Sequence, residues 1–329
     1  MIIFEKIKYY LRQKKFYTKY LQTSINDCRY FARNCKYYCQ KYTYKKDKVV
    51  TGNTVFFIID PQISHPGLVD RFKAIIGSYY IAKQSGFNFK IIFDYPFSLH
   101  KYLNTNKHNW VGSTEELSYS IRNSRIISYN GSGKIPTLNK KINQYHIYCY
   151  IGYDILLTNH VHNYTDLWSE LFQELFRPQK ILQKRLEELK LPQKYIAVHL
   201  RFVNALENFE ENQFNFLSEE KKQKLIERCL NAISSIINKN PNKKIYIFSD
   251  SQTFLDIIQK LPIYTIKGPV GHISFHGEND AIIMKTFIDF YAISQAEKVI
   301  QILAPEMYNT VFSYYAAILG KIPCEQYYI

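Results

Sequence analysis

The sequence lacks several features that define familiar classes of protein. Its 329 residues include six cysteines but no Cys-x-x-Cys pair, so we interpret the thiols as reduced and mostly structural, in a cytoplasmic chain. No apolar run reaches the ~18–20 residues that a membrane-spanning helix needs. The N-terminus is charged from Glu5 onward and has no apolar core, so we do not expect a secretory signal.

Motifs of several enzyme classes are also missing. The chain has no Gly-x-Ser-x-Gly, no Walker loop and no His-Glu-x-x-His, which disfavours the classes that those motifs define. Cys35 and Cys39 have helix spacing and His160 and His162 have strand spacing, but neither pair has the further ligands of a metal site. No Asp-x-Asp occurs, which argues against the sugar-nucleotide enzymes that chelate a metal. We therefore expect no metal and no cofactor.

Positive charge is concentrated at the start of the chain. The formal net charge is +15, and residues 1–48 hold thirteen Lys and Arg against three Asp and Glu. Aromatic residues such as Tyr17, Tyr37 and Tyr38 are interleaved with the cations, and no proline interrupts the segment. The pattern predicts one or two helices suited to an anionic membrane surface, with tyrosine rings at the headgroups. Two alternatives are a basic helix packed on the main body and a nucleic-acid contact, which no recognised motif supports.

The rest of the chain alternates strands and helices. Residues 54–60, a helix opening at Gly67 and residues 89–93 predict a βαβ unit. Residues 172–189 predict one helix that bridges two domains. The second half predicts strands at 195–200, 244–248, 263–266 and 298–302, and helices at 218–239, 252–261, 280–295 and 307–319. We therefore expect an α/β chain with two Rossmann-like domains facing a cleft, over 49–180 and 181–329, preceded by the basic segment 1–48.

One strand carries the most informative polar pair. His199 and Arg201 follow the apolar run Tyr195–Val198, and residues two apart on a strand point to the same side. Open α/β sheets bind their ligands at the carboxyl ends of strands. Because a guanidinium grips phosphate with two parallel hydrogen bonds, this motif predicts a phosphate site. The alternatives are an ion pair for Arg201 and a buried structural role for His199.

Three further polar signals follow in the second half. Ser249 and Asp250 come directly after a predicted strand, where they could bind a nucleoside or cap the next helix. The stretch 309–313 opens the last predicted helix, whose N–H groups favour an anion, with capping as the alternative. Asp289 lies among apolar residues, where a carboxylate needs a partner. It is therefore interpreted as a ligand contact, a member of an ion pair or a solvent-facing acid.

These motifs, taken in order, resemble the fucosyltransferases of the GT-B fold. His199-Leu-Arg-Phe202 resembles the His-x-Arg motif of that superfamily, and Ile247-Phe-Ser-Asp250 is similar to the Ile-Phe-Ser-Asp of α-1,2-fucosyltransferases. The stretch 309–317 resembles their Asn-Ser-Ser-Phe-Ser motif. Asp289 and Ser294 fall where α-1,6 enzymes have Asp-x-x-x-x-Ser, and Gly67-Leu-Val-Asp-Arg71 resembles a Gly-Leu-Gly-Asp-Arg motif. The α-1,2 pattern Arg-Arg-Gly-Asp is replaced by Arg-Phe-Val-Asn, which leaves the linkage open.

The resemblance implies an inverting, metal-independent transfer of L-fucose from GDP-β-L-fucose to a glycan hydroxyl. Arg201 would stabilise the leaving diphosphate, with His199 orienting it and Glu207 as a candidate base. The implied nucleotide-sugar contacts are His199, Arg201, Asn204, Ser249, Asp250, Asp289, Asn309, Thr310 and Ser313. His65, Asp70 and Arg71 would line the acceptor side, which assigns the acceptor to the domain 49–180 and the nucleotide sugar to the domain 181–329.

The expected role is therefore a cytoplasmic glycosyltransferase that modifies a surface polysaccharide or lipid-linked oligosaccharide. Its expected partners are a nucleotide sugar, a glycan acceptor and, through residues 1–48, the anionic inner face of a membrane, with no nucleic acid. One alternative keeps the fold and changes the donor sugar. A second alternative is a non-catalytic basic protein that binds membrane or nucleic acid on a degenerate transferase fold.

Overall fold

The computed structural model describes residues 34–45, 47, 52–63, 65–127, 134–148, 154–207, 216–271, 273 and 279–329. The strands of this part, in chain order, are β1 (Thr54–Ile59), β2 (Asn88–Phe93), β3 (Leu103–Thr105), β4 (Ser124–Ile127), β5 (Gln144–Ile147), β6 (Phe176–Pro178), β7 (Tyr195–Leu200), β8 (Lys244–Ser249), β9 (Tyr264–Thr265), β10 (Lys298–Leu303) and β11 (Cys324–Tyr328).

Helices alternate with these strands. In the described residues from Gly52 onward, the α-helices are α1 (Leu68–Ser85), α2 (Ile155–Thr158), α3 (Tyr164–Leu175), α4 (Lys180–Glu188), α5 (Glu219–Lys239), α6 (Gln252–Ile257), α7 (Asp280–Ser294) and α8 (Phe312–Gly320). The chain divides into two compact units. Unit 1 comprises 1–66, 70–95 and 110–162, and unit 2 comprises 67–69, 96–109 and 163–329. The predicted domain limits, with a division at 180, remain predictions.

Unit 1 is built on a four-stranded parallel sheet in the order β2-β1-β5-β4. All six residues of β1 are buried, as expected for a central parallel strand covered on both faces. The predicted βαβ unit is confirmed, because β1 and β2 pair in parallel and α1 connects them. β5 is fully buried although its sequence, Gln-Tyr-His-Ile, is largely polar.

Part of the basic N-terminal segment packs within unit 1. Residues 34–41 are helical. Tyr38 and Tyr42 are buried in a cluster with Tyr148, and Tyr42 Oη lies 2.6 Å from His146 Nδ1. Tyr38 is therefore not at a membrane interface, and 34–45 follows the packed alternative. The prediction for residues 1–33 lies outside the described residues.

Unit 2 is built on a five-stranded parallel sheet in the order β11-β10-β7-β8-β9. β7 lies at the centre, and all six of its residues are buried. Side chains of β7, β8 and β10 form one core with the apolar face of α5. Parallel strands end at the same edge of a sheet, so the residues after β7, β8 and β10 are brought together.

Two predictions about unit 2 were wrong. The single bridging helix 172–189 is two helices, α3 and α4, with β6 between them, because residues 176–178 pair with β3 and Pro178 cannot continue a helix. The last element is not the helix at 307–319 but β11, an exposed and polar edge strand without an apolar run. That helix itself begins at Phe312.

Candidate functional site

The site in unit 2 forms where β7 ends. His199 lies on β7, beside Gln301 of β10 and Phe248 of β8. Arg201 follows the strand, and its carbonyl oxygen accepts a hydrogen bond from Tyr308 N at 3.0 Å. This hydrogen bond holds the loop that follows β10 against the end of β7.

His199 is a buried and neutral side chain. Its Nδ1 lies 3.0 Å from Ser313 Oγ, and its ring stacks on Phe312 with the ring centres 5.8 Å apart. Burial, together with the nearby charge of Arg201, lowers the pKa of His199 to about 3. Nε2 has no hydrogen-bond partner among the residues that the structure describes. His199 therefore has one nitrogen engaged by the protein and one available to a ligand.

Arg201 and Asp250 connect the ends of β7 and β8. Arg201 Nη1 lies 3.7 Å from Asp250 Oδ2, and the guanidinium carbon lies 5.8 Å from the centre of the Tyr308 ring. The two Asp250 oxygens accept hydrogen bonds from Phe202 N and Val203 N, at 2.7 and 2.9 Å. Asp250 thus holds the backbone of the turn after β7 and lies beside Arg201, and its predicted contact with the nucleotide stays a prediction.

The two hydrogen bonds accepted by Asp250 stabilise a strained turn. Val203 has a φ of 52°, a left-handed conformation that is uncommon for a β-branched residue. Strain of this kind persists only where the surroundings fix the conformation, and Asp250 provides two of those contacts. The turn continues into Asn204, which is buried, and into Glu207.

The helix cap after β8 differs from both candidates named above. Ser251, rather than Ser249 or Asp250, caps α6, accepting from Phe254 N at 3.1 Å. Ser249 Oγ accepts from Ser251 N at 3.2 Å and is buried. Capping therefore does not explain Ser249 or Asp250.

The three candidate residues at the start of α8, Asn309, Thr310 and Ser313, differ in exposure and in contacts. Asn309 is exposed, whereas Thr310 and Ser313 are buried. Thr310 Oγ1 accepts from Phe312 N at 3.1 Å, so one helix N–H group is already used by the chain. Ser313 contacts His199 directly. This helix start therefore contributes a side-chain contact to the His199 site.

Asp289 forms an ion pair inside α7. Lys285 Nζ lies 2.5 Å from Asp289 Oδ2, with side chains 7% and 14% exposed. The other oxygen, Oδ1, is buried without a partner among the described residues. Burial raises the pKa of Asp289, and the Lys285 charge offsets part of that rise. Of the three interpretations of Asp289, the ion pair is confirmed, and the carboxylate still has one oxygen for a ligand donor.

Glu207 has a similar arrangement near the end of β7. Its Oε2 accepts from Thr253 Oγ1 at 2.8 Å. Its Oε1 is buried and lacks a partner within the described ranges. The neighbouring acid Glu210 lies outside the described residues.

The three acceptor-side candidates belong to unit 1 and have different surroundings. His65 Nε2 lies 3.0 Å from Asp60 N and 3.1 Å from Asp60 O. Asp70 pairs with Lys73 at 2.5 Å. Arg71 is only 2% exposed, donates to Pro66 O at 2.7 Å, and has a pKa lowered to about 10 by burial. His65 and Arg71 thus hold the chain that follows β1.

Gln301, Phe312 and Tyr308 contact the site and were not predicted from the sequence. Gln301 left a usable signal, since it is the one polar residue in the apolar run 299–303. A polar group in a buried strand is costly unless it is hydrogen bonded. Phe312 and Tyr308 left no comparable signal.

Metal binding and membrane crossing are the last two features to consider in the described part of the chain. That part contains no group of three or more His, Cys, Asp or Glu side chains placed to hold a metal ion. None of its helices is long and apolar enough to cross a membrane. Its four cysteines are free, and Cys35 Sγ and Cys39 Sγ lie 3.8 Å apart.

The two parallel-stranded α/β units define a Rossmann-like architecture. No protein-family model and no curated protein matches the chain. Solved structures do match, among them NodZ α-1,6-fucosyltransferase soaked with GDP-fucose, at 14% identity and a TM-score of 0.53, over 82% of this chain and 93% of that chain.

Two further structures give the same result. Fucosyltransferase NodZ from Bradyrhizobium is 13% identical with a TM-score of 0.55, covering 82% of this chain and 94% of that chain. NodZ co-crystallized with GDP is 14% identical with a TM-score of 0.54, covering 82% and 93%. At these identities the likeness establishes the fold, and it confirms the predicted GT-B fold class.

Proposed function

We propose that this chain is a fucosyltransferase that transfers L-fucose from GDP-β-L-fucose to a hydroxyl group of a glycan, with inversion and without a metal ion. The observation that carries the proposal is the grouping of His199, Arg201 and Ser313 at the carboxyl end of β7. The fold is shared with NodZ structures obtained with GDP and GDP-fucose, which supports the choice of donor.

The reaction makes specific demands on Arg201. The acceptor oxygen forms a bond to the anomeric carbon of fucose, while the bond from that carbon to the β-phosphate oxygen breaks. The electron pair leaves with GDP, and the hydroxyl proton is lost. Negative charge therefore grows on the diphosphate, and a preorganised guanidinium stabilises it. Asp250 and Tyr308 hold Arg201 for this role.

The nucleoside requires donors and acceptors beside the diphosphate. Asp289 Oδ1 is a buried acceptor without a partner in the described chain, suited to an N–H group of guanine. Ser249, Asn204 and Thr310 are buried polar residues that follow or flank the strand ends. We assign them, with the exposed Asn309, to the contacts of GDP.

The acceptor hydroxyl must lose its proton during the transfer. Glu207 is our candidate base because one carboxylate oxygen is fixed by Thr253 and the other has no partner among the described residues. His65, Asp70 and Arg71 remain assigned to the acceptor side. We further propose that the acceptor is a surface polysaccharide or lipid-linked oligosaccharide, reached from the cytoplasmic face of a membrane through the part of the basic segment 1–48 that precedes Asn34.

The direct test is calorimetric titration of the purified chain with GDP and with UDP. We expect GDP to bind and UDP to bind more weakly. Arg201→Ala should abolish most of the GDP affinity. Arg185→Ala is the matched control, because Arg185 is an exposed arginine that pairs with Glu188 within α4. Tighter binding of UDP, or no binding of either nucleotide, would contradict the proposal.

The donor sugar is tested separately with a panel of nucleotide sugars. Release of GDP from GDP-fucose above all other donors is the expected result, and preference for another nucleotide sugar would replace fucose while keeping the fold and reaction class. A non-catalytic protein would instead show no turnover with any donor and would lose its binding partner only on deletion of residues 1–48.

A further inference from the structure

A glutamine in the middle of β10 is linked to the His199 ring through one hydroxyl group. Gln301 is the Cα partner of His199 in the pairing of β10 with β7. Its Nε2 lies 3.0 Å from Thr310 O and 3.0 Å from Ser313 Oγ. Ser313 Oγ lies 3.0 Å from His199 Nδ1. Gln301, Ser313 and His199 are 2%, 0% and 7% exposed, so solvent competes little for these contacts.

The partners of Gln301 fix the orientation of its amide. Thr310 O is a carbonyl oxygen and can only accept, so the group that faces it must be the NH₂. The same nitrogen faces Ser313 Oγ. Gln301 therefore donates one hydrogen to Thr310 and the other to Ser313.

That orientation determines where the hydrogen of the Ser313 hydroxyl goes. The oxygen already accepts from Gln301, and a buried hydroxyl hydrogen without an acceptor is costly. His199 Nδ1 is the one other partner of Ser313 Oγ among the described residues. Ser313 therefore donates to Nδ1, and Nδ1 carries no hydrogen. In a neutral imidazole the hydrogen then lies on Nε2.

We propose that Gln301, acting through Ser313, is a positioning residue that fixes His199 as the neutral tautomer with its hydrogen on Nε2. His199 then presents a directed donor to the bound nucleotide. The hydrogen-bond chain keeps the accepting lone pair of the imidazole facing Ser313 and away from the ligand. The role in nucleotide binding rests on the proposed function, whereas the tautomer itself does not.

Burial agrees with a neutral ring. The pKa of His199 is lowered to about 3 by burial and by the adjacent Arg201 charge. Near neutral pH the positive charge at the site thus comes from Arg201, and His199 contributes a hydrogen bond. A bare Nε2 would instead place a lone pair against a phosphate or carbonyl oxygen, which repels it.

The tautomer is measured directly by NMR of the full chain labelled with ¹⁵N-histidine. Two-bond proton–nitrogen correlations distinguish protonated from bare ring nitrogens, and a His199→Gln spectrum assigns the signal among the nine histidines. We expect a bare Nδ1 and a protonated Nε2 from about pH 6 to pH 8. A protonated Nδ1, or a charged ring in this range, would overturn the proposal.

Gln301→Glu provides the sharper variant. The new side chain has at most one hydrogen, and Thr310 O, which can only accept, takes it. Ser313 must then donate to the carboxyl group and accept from His199, so the hydrogen moves to Nδ1. Gln301→Leu, which removes the donor, should give a mixture of tautomers. An unchanged tautomer in both folded variants would reject the role of Gln301.

GDP affinity provides the functional readout. Gln301→Leu and Gln301→Glu should each weaken GDP binding about tenfold, the loss expected for one hydrogen bond to a charged group. Gln144→Leu is the matched control, because Gln144 is a buried glutamine bonded to a buried histidine in unit 1. It should leave GDP affinity unchanged, and a similar loss there would mean that Gln301 acts only through stability.

The two arms separate the possible failures. If the wild-type chain binds no GDP, the proposed function fails while the NMR arm still decides the tautomer. Weaker GDP binding with an unchanged His199 tautomer would reject the positioning role. Thermal melting of each variant confirms that a folded chain is being compared.

Discussion

His146 in unit 1 and His199 in unit 2 are matched in several respects. Both lie on central parallel strands, both are buried, and the pKa of each is lowered to about 3, mainly by burial. Each is also bonded to a glutamine or to a hydroxyl that a glutamine orients. They differ in the second ring nitrogen. His146 Nδ1 lies 2.6 Å from Tyr42 Oη and its Nε2 lies 3.0 Å from Gln144 Oε1.

The difference separates a histidine with both ring nitrogens bonded within the chain from the histidine that we assign to the nucleotide site. Gln144 Nε2 donates to Glu116 O at 2.8 Å, which fixes its amide so that Oε1 accepts from His146 Nε2. His146 is thus the same tautomer as His199, but its N–H group is used within the chain. The N–H group of His199 has no protein partner in the described part of the chain. Burial alone therefore does not distinguish the two histidines, whereas the unused donor at the strand end does.

The largest expected effect lies beside His199. Arg201→Ala should lower the rate of donor turnover on the order of 10²-fold or more, as for the loss of other charge-stabilising donors. Steady-state kinetics with GDP-fucose measures it. Arg201→Lys should recover only part of the rate, because a lysine cannot form two parallel hydrogen bonds. A wild-type rate of turnover in Arg201→Ala would contradict the assignment of catalysis to the Arg201 site in unit 2.

Replacing His146 and replacing His199 should have opposite effects on stability and on GDP affinity. His146→Leu removes one buried hydrogen bond each from Tyr42 and Gln144, so unfolding in urea should show a loss of about 2 kcal/mol or more. Its GDP affinity should stay within a factor of two of wild type. His199→Leu should show the reverse, with GDP binding weakened about tenfold and a smaller change in stability. Equal effects of the two variants on GDP binding would contradict the assignment of the site to unit 2.

The sequence predicted the charged residues of the candidate site better than the residues that hold them in place. His199 and Arg201 were predicted because a polar pair ends an apolar strand, and the α/β order followed from alternating apolar runs. β5 and β11 escaped prediction because their sequences are polar, and β5 becomes buried only through tertiary contacts. The function of Asp250 as a backbone clamp depends on the turn at Val203, which a pattern of residue types does not reveal.

The pH dependence of stability should expose both histidines. Each has a pKa lowered to about 3 in the folded chain, against about 6.5 when unfolded. Between these values the unfolded chain binds protons that the folded chain does not, so the contribution of the two histidines to stability is constant above about pH 6.5 and falls as the pH decreases. Each histidine should cost about 2 kcal/mol at about pH 5.

Urea unfolding near neutral pH and near pH 5 measures this loss. His146→Leu and His199→Leu should each remove about one histidine's share of the slope. GDP affinity of the wild type should show no contribution from His199 between about pH 5 and pH 8, because the ring stays neutral there. A step in GDP binding near pH 6.5 that vanishes in His199→Gln would mean that the ring is charged in the complex.

The smallest expected effect concerns Tyr42, in the part of the basic segment that packs within unit 1. Tyr42→Phe removes the hydroxyl that donates to His146 Nδ1 and lies 3.0 Å from Tyr148 Oη. Because the ring remains in the tyrosine cluster, the loss should be about 1 kcal/mol, the value of a buried hydrogen bond. Urea unfolding gives the change, and GDP titration should show none. Tyr44→Phe is the matched control, since Tyr44 is exposed and should change neither. A larger loss of stability in the Tyr42 variant, with faster proteolysis before residue 54, would show that this hydroxyl holds residues 34–45 on the sheet. Unit 1 would then depend on the basic segment for its fold.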